Sequence, residues 1–160
     1  MDKRECIRRI REYFTDQDDV SAVYLFGSVV KDKTTKDSDV DIAVLFVQGL
    51  SLLHRFERKL ELANDLEEIL RTKVDIVDLE NADLYFIHQV MLNKEIVLDR
   101  DINRRVSFEV EKRRKYFDRK YFYDLYHSQA LKRLEEKGRK YQNGWERNDS
   151  EETNVFRRIL

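Results

Sequence analysis

Two short runs of strand-forming residues flank a stretch that can only be a loop, and this arrangement most restricts what the chain can fold into. Val20–Phe26 (VSAVYLF) is β-branched and aromatic and ends at Gly27, so it reads as a buried strand running into a turn. Residues 31–38 (KDKTTKDS) contain no apolar side chain. In the run that follows, Val40, Ile42 and Val44 alternate with Asp39, Asp41 and Ala43, giving a second strand that ends near Phe46. Side chains two apart on a strand project from the same face, so the carboxylates of Asp39 and Asp41 stand side by side.

The remaining pattern supplies helices and two further strands. Cys6, Ile7, Ile10, Tyr13 and Phe14 share one side of a helix over residues 3–14. Ser51 can cap a long helix whose buried stripe is Leu52, Leu53, Phe56, Leu60, Ala63, Leu66 and Ile69 or Leu70. Residues 73–79 (KVDIVDL) alternate and form a third strand carrying Asp75, with Asp78 exposed at its end. Asn81 is a candidate N-cap for a helix to about Asn93, and residues 95–98 add a short strand. From about Asn103 to Lys137 the pattern is helical, with a possible break near Lys120 and Gly138 as C-cap. The order implies an α+β fold, a small mixed sheet backed by helices, with a C-terminal helical segment. Three regions are expected: a catalytic core over residues 1–100, a partner-binding helical segment over 101–137, and a polar, poorly ordered tail over 138–160.

Chemistry concentrates between Leu25 and Leu45. Gly27-Ser28 follows a strand, where backbone amides and a hydroxyl can meet a phosphate. Glycine permits close approach, and a helix starting at Ser28 would aim its N–H groups at the anion. Asp39 and Asp41 repel each other unless a cation lies between them, and such hard oxygen ligands suit Mg²⁺, which binds one or two carboxylates together with substrate phosphates. Asp75 faces the same way if its strand neighbours theirs. A G-S pair or a D-x-D alone carries little weight, since most such pairs are solvated loops or strand edges. The ordered combination of strand, G-S, polar loop, D-x-D and an aspartate on a third strand fits metal-assisted nucleotidyl transfer, in which ions neutralise a triphosphate and align it for in-line attack.

Leu25-Phe26-Gly27-Ser28 through Ser38-Asp39-Val40-Asp41 resembles the G-S-(x)n-D-x-D signature of the polymerase-β-like nucleotidyltransferase superfamily. The short chain resembles its minimal branch, the MNT proteins. The resemblance implies that Asp39, Asp41 and Asp75 are catalytic and hold two Mg²⁺ ions (Mn²⁺ as an alternative), and that Gly27 and Ser28 bind the nucleotide of an ATP substrate. Many minimal members continue the turn as G-S-R-A-R-G, whereas this chain reads Gly27-Ser28-Val29-Val30-Lys31-Asp32, leaving Lys31 as the expected phosphate contact. Asp37 reads as a solvated loop acid, and Arg71 and Lys73 read equally as a solvated helix end or as cations that could reach phosphate. His54 and His88 lack the companions of a metal site.

Charge is divided along the chain. The first hundred residues hold 15 Lys+Arg and 21 Asp+Glu, net −6; residues 101–160 hold 16 and 11, net +5. Within residues 104–133 the cations interleave with Phe108, Tyr116, Phe117, Tyr121, Phe122, Tyr123 and Tyr126. A protein partner surface is preferred here over core packing or direct nucleic-acid binding. The resemblance supplies the partner class, since MNT proteins resemble the antitoxin half of pairs whose toxin is a HEPN-type RNase. The expected function is AMP transfer from ATP to a hydroxyl of that toxin, with tyrosine the favoured acceptor. Transfer to a small molecule or an RNA end, or neutralisation by binding alone, are the alternatives. One cysteine, a highly charged start and no long apolar run imply a cytoplasmic protein without membrane association.

Overall fold

The computed structural model describes residues 3–27, 30 and 39–156, with side chains to residue 136. The elements run α1 (Lys3–Thr15), β1 (Val20–Phe26), β2 (Val40–Phe46), α2 (Leu52–Leu70), β3 (Val74–Asp78), α3 (Leu84–Leu92), β4 (Glu95–Asp99) and α4 (Ile102–Phe156). The four strands form one mixed sheet in the order β3-β2-β1-β4. β1 pairs antiparallel with both β2 and β4, while β2 and β3 run parallel and are joined by α2, as a parallel pair needs a crossover. This is the expected α+β architecture. The chain divides into two compact units, Met1–Tyr116 and Phe117–Leu160. No described helix is long and apolar enough to cross a membrane.

Period-two alternation sorts the strand residues onto two faces. On one face, Val23, Leu25, Ile42, Val44 and Ile76 pack against Ile10 and Phe14 of α1 and Leu62, Leu66 and Leu70 of α2. On the other, Ala22, Tyr24, Ala43 and Leu45 meet Ile87 and Val90 of α3 and Phe108 of α4. A polar network ties this second face to α4. The Tyr24 hydroxyl donates to Glu109 at 3.1 Å, Glu109 also accepts from Arg105 at 3.2 Å, and Lys94 pairs with Glu109.

Four sequence expectations need correction. The leucine stripe assigned to the buried side of α2 is exposed at Leu52, Leu53, Phe56 and Leu60, and only its later members pack inward. The first half of the helix turns Arg55 and Arg58 inward instead. Arg55 pairs with Asp78 at 3.4 Å and with Glu80, and Arg58 donates to Asp19 at 2.6 Å. Satisfying these partly buried ions sets the rotation of the helix, because an unpaired buried charge costs far more than an exposed leucine. Asp78 is therefore not exposed, with 9% of its side chain accessible beside Arg55.

The cap of α3 is Asp83 rather than Asn81. Its carboxylate accepts from the N–H groups of Tyr85 at 2.8 Å and Phe86 at 3.3 Å. Asn81 is held in a turn by its N–H bond to Asp78 O at 3.2 Å, so the helix starts later. Finally, α4 passes Gly138 and Lys120 without ending, to Phe156. An interior glycine costs only about 1 kcal/mol in a helix, and its neighbours Glu135, Glu136, Lys137, Arg139 and Lys140 are good helix formers. The aromatic run is also divided: Phe108 and Tyr116 are buried, whereas Phe117, Tyr121, Phe122 and Tyr126 are exposed.

Candidate active site

Three strands bring the candidate groups to one end of the sheet. Phe26, the last residue of β1, is the Cα partner of Asp41 on β2, and Asp41 is the Cα partner of Asp75 on β3. Neighbouring strands lie about 4.8 Å apart, so Asp41 and Asp75 project together from adjacent positions. Asp39 precedes Asp41 by two residues and shares its face. Val40 and Ile42, between and beyond them, point into the opposite core. The carboxylates therefore occupy the face that carries α3.

Gly27 fits this corner for two reasons. Its φ is +76°, in the left-handed region where a side chain is strained. A Cβ built there would also lie 2.0 Å from Oδ2 of Asp41 and 2.9 Å from its Cγ. The backbone thus lies against the carboxylate with no room between them. Burial pushes the Asp41 pKa up, and the charges of Asp75 and Asp39 push it further the same way. Among the described residues, Asp41 is thus half-buried beside like charges with no cation offsetting them strongly enough to reverse the shift.

Such a donor set suits a hard divalent cation. The ligands are oxygen, the charges repel, and the missing Cβ leaves the Asp41 carboxylate abutting open backbone. Among the described residues no three acidic, imidazole or thiol groups converge as a ready-made metal site. Mg²⁺ needs fewer protein ligands than that, taking one or two carboxylates and completing its shell with water and substrate phosphate. Ser28, Lys31 and Asp37 lie outside the described residues. Arg71 and Lys73 stand next to the start of β3, at the carboxylate end. Arg71 holds the left-handed C-cap of α2 (φ 57°) and donates its N–H to Glu67 O. His54 is exposed on α2, and His88 stacks on Tyr116 at 3.6 Å between ring centroids, so neither joins the carboxylates.

The sequence reading takes Phe26 only as the end of a strand and gives Phe86 no role. The structure sets their rings edge to face, 5.8 Å apart, beside Asp41. The one available sequence signal is that Phe26 directly precedes Gly27. A cavity of about 650 Å³ lies elsewhere, lined by Ser21, Val47 and Arg104 at the opposite end of β1 and β2.

The family described as Polymerase beta, Nucleotidyltransferase matches residues 8–103, which contain all four strands and both candidate motifs. The chain belongs to that family. As a nucleotidyltransferase it is similar to the protein adenylyltransferase MntA of Shewanella oneidensis, at 39% identity over 69 residues, 43% of this chain and 47% of MntA. The Methanocaldococcus jannaschii protein MJ1379 is 32% identical over 96 residues, 60% of this nucleotidyltransferase and 89% of its own length. Among solved structures, a toxin–antitoxin with AMP-PNP superposes with a TM-score of 0.59 at 26% identity, covering 74% of this chain and 95% of that one. A complex of tri-AMPylated Shewanella oneidensis HEPN toxin with MNT antitoxin gives a TM-score of 0.56 at 24% identity, over 76% and 96%, a likeness of fold.

Proposed function

We propose that this nucleotidyltransferase transfers AMP from ATP to a hydroxyl, favouring tyrosine, of a HEPN-type RNase toxin and so neutralises it as the antitoxin of the pair. The observation that carries the reading is the alignment of Phe26-Gly27, Asp41 and Asp75 across three neighbouring strands, with Asp39 on the same face. The relative MntA is a protein adenylyltransferase, and the solved toxin–antitoxin of similar fold holds an ATP analogue. Both support the choice of nucleotide and acceptor class.

In this reading Gly27 and Ser28 receive the phosphates where backbone can approach closely, and Lys31 adds a cation to that contact. Asp39, Asp41 and Asp75 would hold the Mg²⁺ ions, which would supply charge neutralisation and Lewis acidity to the transfer. The acceptor oxygen forms a bond to the α-phosphorus as the bond to the bridging oxygen breaks, and pyrophosphate leaves. In this reading the hydroxyl proton passes to Asp75, which is exposed on an edge strand. The burial of Asp41 and its backing by Gly27 fix the carboxylate orientation before substrate arrives, and such pre-organisation is where much catalytic rate comes from.

The second unit gives the acceptor protein something to hold. Phe117, Tyr121, Phe122 and Tyr126 are exposed there, amid Arg119, Lys120 and Arg133. Aromatic and arginine side chains are the usual anchors of protein interfaces. Docking brings the hydroxyl to the enzyme, so no acceptor pocket is needed within the core.

The test is to incubate the protein with its cognate toxin, ATP and Mg²⁺ and to follow the toxin by intact mass. Addition of AMP masses that Asp39→Asn abolishes is the expected result, and removal of residues 117–160 should weaken co-purification. Full neutralisation by Asp39→Asn without added mass would replace enzymatic action with binding alone.

A further inference from the structure

We infer that Phe86, braced by Phe26, is the platform on which the purine base of the nucleotide stacks. This rests on the nucleotidyl-transfer reading and adds the base subsite to it. Phe26 is directly opposite Asp41 in the antiparallel ladder, and side chains so paired share a face with their Cβ atoms about 5 Å apart. The Phe86 ring meets Phe26 at 5.8 Å with an interplanar angle of 83°. An aromatic surface therefore begins beside the carboxylates and extends away from them along the α3 face, the direction a nucleoside must take if its phosphates lie at Gly27.

Phe86 is not needed to fill the core. Ile87 and Val90 are the α3 side chains buried against the sheet, whereas Phe86 keeps 36% of its surface exposed. Its position is nevertheless fixed. The Asp83 carboxylate accepts the Phe86 N–H at 3.3 Å, and the edge-to-face contact with Phe26 holds the ring from the side. Phe26 is in turn half-buried against the second core. A rigid, partly open aromatic ring next to a nucleotide site favours bases by stacking, and the larger purine face gains more than a pyrimidine.

Binding measurements separate the platform from the phosphate site. AMP-PNP and inorganic tripolyphosphate, each with Mg²⁺, are titrated into wild type, Phe86→Ala and Phe86→Trp, with melting curves confirming that the variants fold. Removing one stacked base contact weakens binding by roughly 5- to 150-fold. Phe86→Ala should therefore lose AMP-PNP affinity by about tenfold or more and leave tripolyphosphate affinity unchanged. Phe86→Trp should restore AMP-PNP binding, with quenching of the new indole. AMP-PNP affinity unaltered in Phe86→Ala overturns the platform, and so does an equal loss for both ligands. Unaltered AMP-PNP affinity with lost transfer to the toxin also overturns it, assigning the ring to the acceptor. A wild-type protein that binds neither ligand overturns the nucleotidyl-transfer reading itself, a result distinct from the other three.

Discussion

Replacing Gly27 with alanine should disable the enzyme out of proportion to its loss of stability. An L-residue in the left-handed region costs roughly 1–2 kcal/mol, and Gly27 has φ +76°. The new methyl would also sit 2.0 Å from Asp41 Oδ2, well inside contact distance, and 2.9 Å from Cγ. The easiest escape is rotation of the Asp41 side chain away from its present rotamer, at about 0.5–1.5 kcal/mol. The sum, about 1.5–3.5 kcal/mol, lowers Tm by roughly 3–14 °C for a chain of this size. Rotation also removes a carboxylate from its working position, and a misplacement near 1 Å can cost about 10²-fold in rate. Melting curves and AMP transfer measured on the same preparations give both quantities. A double-mutant cycle isolates the contact: in an Asp41→Ala background the same substitution should cost only the backbone share, about 1–2 kcal/mol. Near-normal transfer by Gly27→Ala, or an undiminished stability cost when Asp41 is already alanine, would refute the assigned packing of backbone on carboxylate.

Asp41→Asn should abolish turnover yet leave the metal-free fold at least as stable, as read by melting, because it removes a half-buried charge from beside two others. Since the folded Asp41 pKa is raised, the folded form holds its proton more tightly than the unfolded chain. The stability this contributes is present below the unfolded value and is lost as pH rises through the raised folded value, so that part of a pH–Tm profile should vanish in Asp41→Asn. Lys31→Ala should raise KM for ATP more than it lowers kcat, as steady-state kinetics will show, because a ground-state phosphate contact acts mainly on binding. Arg55→Ala should destabilise by about 3–5 kcal/mol by stranding Asp78, whereas Leu53→Ala on the exposed side of α2 should change stability by less than about 0.5 kcal/mol; denaturant titrations of the two variants compare the faces directly.

The strands and the carboxylate face were legible because period-two alternation is short-ranged and survives folding unchanged. Val40, Ile42 and Val44 had to face a core, and that alone sends Asp39 and Asp41 to the other side. The partnership of Asp41 with Asp75 needed one more fact, the adjacency of β2 and β3, which the crossover through α2 provides. Helix rotation was less legible. On α2 the apolar spacing of Leu52, Phe56 and Leu60 is as regular as that of Leu62, Leu66 and Leu70, and only the ion partners of Arg55 and Arg58, distant in sequence, decide between them. The α3 cap was ambiguous for a similar reason, since Asn81 and Asp83 are both good caps and the turn after Asp78 selects the second. The pairing of Phe26 with Phe86 spans 60 residues in the chain and leaves no periodic trace in it.

The sheet register has a consequence for biosynthesis. The corner at Gly27 and Asp41 needs only a hairpin, but Asp75 joins it only after α2 has crossed over and β3 has paired in parallel with β2. Pairings of that sequence separation form late, because the entropy of closing a long loop must be met before the contact is gained. A nascent chain that has emerged as far as α2 therefore carries two of the three carboxylates of the proposed site. On the proposed reading, the carboxylates come together with closure of the parallel pair, while α3, β4 and α4 still follow in the chain.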